Sequence, residues 1–530
     1  MKLRTRTEVV IVALAGLAAG SASAAGAPES VAHRADSQPR AVAPFVPGPP
    51  LWRPAETRPK AAVLAGDSLE EVVDRCVADA MAAANTPGAS VAVIVDGELR
   101  YEHGYGAKRR GGSDPVNAET RFRIGSVTKM LTAAAVMQQV EAGTVFLDDR
   151  VTRHVPEVDF LGHWPAGAMT VEHLLTHSTG IPDLVFAQDG DTGTDALSDW
   201  AASLYGVGLH APPGVLFNYS NPNFNLAGLV AERASGMDYR SYMDAHVFAP
   251  AGMSNTTFDP AEVVASGNYS WGHMPNSGGG EGRYAPDDYD NWVYAPAGYA
   301  FSTAGDLARW ALLLSDGGGE VLSPESAARM QAFHQDLATV PGAGYGYGIF
   351  VEPFYDLTIR QHGGNIWGWG AYLLWRPEQR FAVAVLANTF QSLGDAAYCI
   401  ADAVLEPDHS AAPVYPVDPD RRRLFEGTYD VTVGTGWDYS PYPVQGEVSQ
   451  TGGQLLLHLW DPASHWTQLW FLDHVVLDVY YVDVDMNGEV DLDVSFITNK
   501  GDPEQVKWMR MRPVVGSVQL VPRPGVRPAP

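Results

Sequence analysis

The stretch RFRIGSVTKMLTAAAVMQQVEAG, residues 121–143, decides how the rest of the chain is read. Met130, Ala133, Ala134 and Met137 recur at one-turn intervals, while Gln138, Gln139 and Glu141 gather at the far end, which is the spacing of a mostly buried helix. Gly143 is placed to stop it, because helices commonly end on a left-handed residue and glycine takes that conformation without strain. Ser126 stands at the start of this helix and Lys129 lies three residues on, over the same face. A serine hydroxyl is a weak nucleophile until a base takes its proton. A lysine is such a base only when burial or nearby charge lowers its pKa. An apolar helix supplies the burial, and its positive end favours negative charge developing on the serine. The chain has 29 arginines and six lysines, and arginine stays protonated, so a lysine at this place bears on chemistry. By itself the pair also fits an N-cap serine beside a lysine whose stem crosses apolar surface to reach water.

On the N-terminal side, Ser68 caps a helix over about 69–84, with Glu70 and Glu71 in its first turn. Pro87-Gly88 turns into a strand, Ala89–Val95, and Asp96-Gly97 signals a hairpin into Leu99–Gly106. Downstream, residues 144–168 read as irregular. Thr170–Leu175 opens a short helix that runs into Thr176-His177-Ser178-Thr179-Gly180, where His177 reads as a turn histidine bonded to nearby backbone. Phe217-Asn218-Tyr219-Ser220-Asn221 falls on a loop before an apolar helix from about 224 to 234. A phenol at Tyr219 can relay a proton, and the Asn221 carboxamide can hold an amide or ester through donor and acceptor. A packed surface turn is the other reading of that segment. Residues 262–295 read as loop, and a helix follows over 307–314. Gln361-His362-Gly363-Gly364-Asn365 precedes two strands, Ala371–Trp375 and Phe381–Asn388, paired around Pro377-Glu378, and a last helix spans about 394–405.

The composition is that of a globular chain long enough for at least one large core, with 530 residues, 46% hydrophobic and 18% charged. A formal charge of −27 argues against nucleic acid or an anionic membrane surface as a partner. Lys2, Arg4 and Arg6 precede the apolar Val9–Ala19, and Ala22-Ser23-Ala24 follows, so residues 1–24 read as a cleaved secretory signal. Residues 25–66, rich in alanine and proline, read as a disordered spacer. No later apolar run reaches the roughly 18 residues a membrane span needs. The mature protein is therefore expected to be secreted or periplasmic, without a membrane anchor. Prolines and charges at 407–423 end the first domain, 67–408. Beyond it, 421–515 shows short β-type runs, expected to form a small antiparallel barrel or sandwich, and the last fifteen or so residues read as loose. Asp483, Asp485, Asn487 and Gly488 begin like a calcium loop, but its twelfth position is Val494 in place of a glutamate, which excludes calcium.

Taken together, GSVTK at 125–129, TVEHLLTHSTGIP at 170–182, FNYSNPNFNLAGLVAE at 217–232, YAFSTAGDLARW at 299–310 and HGGNIWGWGAY at 362–372 resemble the serine β-lactamase and penicillin-binding-protein superfamily. The nearest branch is that of class C β-lactamases, D-alanyl-D-alanine carboxypeptidases and related esterases. The resemblance covers about residues 67–406. It implies an α/β (α+β) core, a helical cluster set against an antiparallel sheet, and a serine hydrolase acting on esters or amides, including D-amino-acid peptides. It makes Ser126 the acylated nucleophile, Lys129 its partner and Tyr219 the base or proton relay, the choice between the last two staying open. Asn221, His362, Gly363 and Gly364 become substrate-binding residues. The backbone N–H groups of Ser126 and Asn365 become the oxyanion hole. The third motif usually carries lysine where this chain has His362, partly charged at neutral pH, which weighs against a true β-lactamase or transpeptidase. An inactive muropeptide- or lactam-sensing protein is the other alternative. The resemblance implies no metal or organic cofactor, and the partner is a small-molecule or peptide substrate, with oligomeric state left open. It also sets the first and last helices of the core side by side, which allows a disulfide between Cys76 and Cys399, the only two cysteines.

Overall fold

The computed structural model describes residues 67–160, 166–183, 192–209, 211–275, 281–337 and 342–411, and the strands between 427 and 522. The expected signal and spacer at 1–66 and the calcium-like turn around Asn487 lie outside the described residues. The described residues fall into two compact units, 67–411 and 427–522.

The first unit is built on an eight-stranded antiparallel sheet. Its strands in chain order are β1 (Gly88–Val95), β2 (Glu98–Gly106), β3 (Gln335–Asp336), β4 (Gly344–Tyr345), β5 (Phe350–Phe354), β6 (Leu357–Ile366), β7 (Trp369–Arg376) and β8 (Phe381–Ala387). Across the sheet they run β2-β1-β8-β7-β6-β5-β4-β3. The N-terminal hairpin thus joins the C-terminal meander through β1 and β8, with Val91 opposite Val385. Both of those strands are apolar on both faces because both faces are covered. Five helices position the site or close the sheet: α1 (Leu69–Ala83), α2 (Thr128–Glu141), α3 (Val171–Leu175), α4 (Asn221–Ser235) and α5 (Gly394–Leu405).

One face of the sheet, with Val91, Val93, Val383 and Val385, packs on α1 and α5. Ser68 and Glu71 close a capping box at the start of α1, satisfying donors the helix itself leaves open. The Cys76 and Cys399 sulfurs are bonded, joining α1 to α5 at a Cα–Cα distance of 5.9 Å. The other face, with Ala92, Ile94, Ala384 and Leu386, packs on a large helical cluster centred on α2. Every residue of α2 from Thr128 to Met137 is buried. A helix that is apolar nearly all round belongs in the middle of a core. Gly143 takes φ +73 just past its end.

The structure departs from the sequence expectation in three places. Residues 260–266, of which 262–266 were expected as the beginning of a loop, form a helix that Asp259 caps, its side chain accepting from the Ala261 N–H at 2.8 Å, with Pro260 in its first turn. Gly272–Pro275 and Glu281–Tyr284 then pair as a short hairpin. Helix α4 begins at Asn221, three residues earlier than expected, because Pro222 in the first turn lacks only a donor the helix would not use there. In the second unit eight strands form a closed antiparallel barrel from Gly427–Val433 to Val518–Pro522, the last pairing with the first. The closing strand lies in the tail expected to be loose. Gln445–Thr451 was equally hidden, since Val448 is its only strongly apolar residue.

Candidate active site

Ser126 lies in a 3₁₀ turn, Gly125–Val127, that runs straight into α2. Gly125 enters the turn at φ +50, and a Cβ there would stand 2.6 Å from the Asn365 nitrogen. Gly364, on β6, is matched to it: a Cβ there would stand 2.0 Å from the Ile124 carbonyl oxygen and 2.9 Å from the Ser126 nitrogen. Two glycines therefore let strand and turn meet backbone to backbone, which brings the Ser126 and Asn365 amides to one place. Gly363 stands on the other face of β6, where a Cβ would meet the Tyr372 ring at 3.4 Å. Only its backbone is available toward the serine side.

Lys129, in the first turn of α2, is 0% exposed, which excludes a lysine reaching out to water. Its Nζ donates to Ser126 Oγ at 2.9 Å, to Asn221 Oδ1 at 2.7 Å and to the Ala297 carbonyl at 2.7 Å. Burial lowers its pKa to about 7, against a smaller opposing pull from Asp183. With two acceptors in place, loss of one proton leaves the lone pair of Nζ facing the serine hydroxyl. Asp183 anchors the other side, its carboxylate accepting the Asn221 backbone N–H at 2.6 Å. Asn221 is thus held at both its backbone and its carboxamide, and it faces the lysine.

Tyr219 sits just before α4, its ring 4.9 Å from Lys129 Nζ and its hydroxyl beside Ser126. Burial raises its pKa far above the ordinary tyrosine value, so the phenol keeps its proton at neutral pH. His362 on β6 is 1% exposed. Its Nδ1–H donates to the Gly363 carbonyl at 2.6 Å, and its Nε2 accepts from the Tyr345 hydroxyl at 2.9 Å. Burial first, and then Lys129, push it down to about 3. The expectation of a partly charged His362 is therefore corrected. It is a neutral wall with both nitrogens engaged, its ring 6.2 Å from that of Tyr219.

Sequence reasoning missed three members of this arrangement. The Ala297 carbonyl is backbone and leaves no mark in composition. Asp183 lies 38 residues from its partner. His177, read as a turn residue, in fact packs its ring 4.2 Å from that of Tyr219, and the motif around it was the available signal.

The chain matches the Beta-lactamase family model over residues 73–406, which takes in all of these residues. The chain belongs to the Beta-lactamase family. "Penicillin-binding protein 4" of Amycolatopsis lactamdurans is 30% identical over 317 residues, 57% of this chain and 81% of that protein. "Protein flp" of Staphylococcus aureus strain MW2 is 26% identical over 336 residues, 61% of this chain. The chain spans 64% of the length of that relative, a little under two thirds. Among solved structures, the octameric penicillin-binding protein homologue from Pyrococcus abyssi aligns at 25% identity and a TM-score of 0.58, covering 84% of this chain and 99% of that one. SurE aligns at 25% identity and a TM-score of 0.64, covering 86% and 99%. The Beta-lactamase family is one of serine hydrolases and acyl-transferases, some of whose members are non-catalytic.

Proposed function

We propose that the protein is an exported serine hydrolase of the carboxypeptidase and esterase branch, acting on ester or amide carbonyls, D-amino-acid peptides among them, through an acyl-enzyme on Ser126. The observation that carries this is the contact of Ser126 Oγ with a fully buried Lys129 whose pKa is brought down to about 7. In this reading neutral Lys129 takes the Oγ proton as Oγ bonds to the substrate carbonyl carbon. The carbonyl oxygen takes the electron pair and rests on the Ser126 and Asn365 amides, donors already in position when the charge appears. Collapse breaks the bond to the leaving oxygen or nitrogen, which receives a proton through Tyr219. Water then repeats the sequence in reverse, releasing the acid and restoring Ser126. Lys129 is favoured over Tyr219 as first acceptor because one pKa is lowered to about neutrality and the other is raised. The export part rests on the N-terminal signal pattern alone, and no helix among the described residues is long and apolar enough to cross a membrane.

The test is a labelled penicillin or fluorophosphonate, with the adduct mapped by mass spectrometry, beside a screen of short-chain esters, D-amino-acid peptides and a chromogenic cephalosporin. The adduct is expected on Ser126, and Ser126→Ala should lose essentially all turnover. An adduct on another serine, or undiminished activity in Ser126→Ala, overturns the reading. Turnover of the cephalosporin alone would move the protein to the β-lactamase reading.

A further inference from the structure

His177 combines features that a turn histidine does not need. It is fully buried and adopts φ +54, a left-handed conformation in which histidine, like asparagine and aspartate, is enriched over most non-glycine residues. Its carbonyl accepts the Asn218 N–H at 2.7 Å, and its Nδ1 accepts the Ser220 N–H at 3.2 Å. Those are the two residues on either side of Tyr219. The same Nδ1 lies 3.1 Å from Asn223 Nδ2, in the first turn of α4. The imidazole face lies against the Tyr219 ring at 4.2 Å and 37°. The remaining nitrogen, Nε2, has no hydrogen-bond partner among the described residues, and rings of Phe217, Phe224 and Tyr345 surround the imidazole at 5.0 to 5.9 Å. A buried N–H without a partner and a left-handed backbone both work against the fold, and such costs persist where the surroundings over-determine them. A phenylalanine would fill this aromatic pocket without the unpartnered ring N–H, at a greater backbone cost, so packing of the ring alone does not account for histidine.

We infer that His177 is a positioning residue for the proton relay: it clamps the backbone on both sides of Tyr219 and so sets the phenol against Ser126. This rests on the reading of Tyr219 as the relay. The clamp needs one acceptor, two bonds beyond Cβ, on a residue that tolerates positive φ. Asparagine meets both conditions, since its Oδ1 occupies the place of Nδ1 and its backbone accepts the left-handed region. Glutamine carries the same amide one methylene too far, and phenylalanine carries none. Because a positioning error falls on the transition state, the loss should appear in kcat, with KM little changed.

The experiment compares His177→Asn, His177→Gln and His177→Phe in the full chain, using the best ester from the screen, with circular dichroism and Tm as fold controls. His177→Phe and His177→Gln should lose about 10- to 100-fold in kcat, with KM within about threefold. His177→Asn should recover most of that loss. In a Tyr219→Phe background, His177→Phe should cost little more, since the group it positions is gone. If His177→Phe fails to fold, the asparagine and glutamine variants carry the comparison. Folded His177→Asn as impaired as His177→Gln overturns the inference, and so does a loss confined to KM or one undiminished in the Tyr219→Phe background. Failure of the Ser126 reading itself would show separately, as activity persisting in Ser126→Ala.

Discussion

At the scale of single residues the site is a problem in where one proton sits. Lys129 loses its ordinary charge preference because burial removes the water that would solvate an ammonium. Its folded pKa of about 7 makes the neutral, proton-accepting form grow as pH rises through neutrality. The kcat/KM profile should accordingly show an acid limb near pH 7, rising from pH 6 to 8, with no limb from Tyr219 in that range. Lys129→Met should remove the limb and lower the rate by about 10² to 10⁴, the usual cost of losing a positioned acid–base group. Tyr219→Phe should fall in the same range, and the double variant well short of the product, because the two serve one transfer. Multiplicative losses would show independent roles. His362 makes the contrast, since a group held neutral down to about pH 3 cannot supply that limb. His362→Ala is expected to retain measurable ester hydrolysis and the same acid limb. Complete inactivation with the fold intact would contradict its place as a wall.

Among the elements, the contact between β6 and the turn before α2 matters most, because in the proposed mechanism strand and turn each contribute one oxyanion amide. That contact depends on the absence of side chains at Gly125 and Gly364. Gly364→Ala would put a methyl 2.0 Å from the Ile124 carbonyl oxygen, so strand and turn must part. Losing one oxyanion donor typically costs about 10² to 10³ in kcat, and the variant should fall in that range while circular dichroism stays native-like. Full acylation by a labelled penicillin at the wild-type rate would refute this account of the strand. The helix α4 shows the same economy of means. Its first residue, Asn221, is both a helix terminus tied to Asp183 and an acceptor for Lys129, so helix start and site are one feature.

For the whole first unit, the sheet separates chemistry from the closure of the chain. Helix α2 and the serine lie on one face, and α1 and α5, joined by Cys76–Cys399, lie on the other. The bridge spans a sequence separation of 323 residues, and the entropic model gives a loop of that length roughly 5 to 6 kcal/mol, with measured gains commonly smaller. The double variant Cys76→Ala/Cys399→Ala should lower Tm by about 3 to 8 °C for a unit of this size, leaving kcat within about twofold. A large loss of activity at a temperature where the variant is folded would mean that the two faces are coupled.

The sequence by itself carried what is local. The i, i+3 spacing of Ser126 and Lys129 is a property of one helical turn, Pro377 and Asp96-Gly97 mark their hairpins, and motif order along the chain placed Tyr219 and His362 near the serine. Buried strands β1 and β8 were legible because both their faces are apolar. What only the tertiary structure decided depends on groups distant in sequence: the Ala297 carbonyl completing the lysine's partners, Asp183 holding Asn221, His177 gripping both sides of Tyr219, and the Tyr345 hydroxyl engaging Nε2 of His362. Charge state belongs to the same class. Whether a lysine or a histidine is charged at pH 7 is set by how completely its neighbours exclude water and what they offer in exchange, and a list of residues does not contain that enclosure.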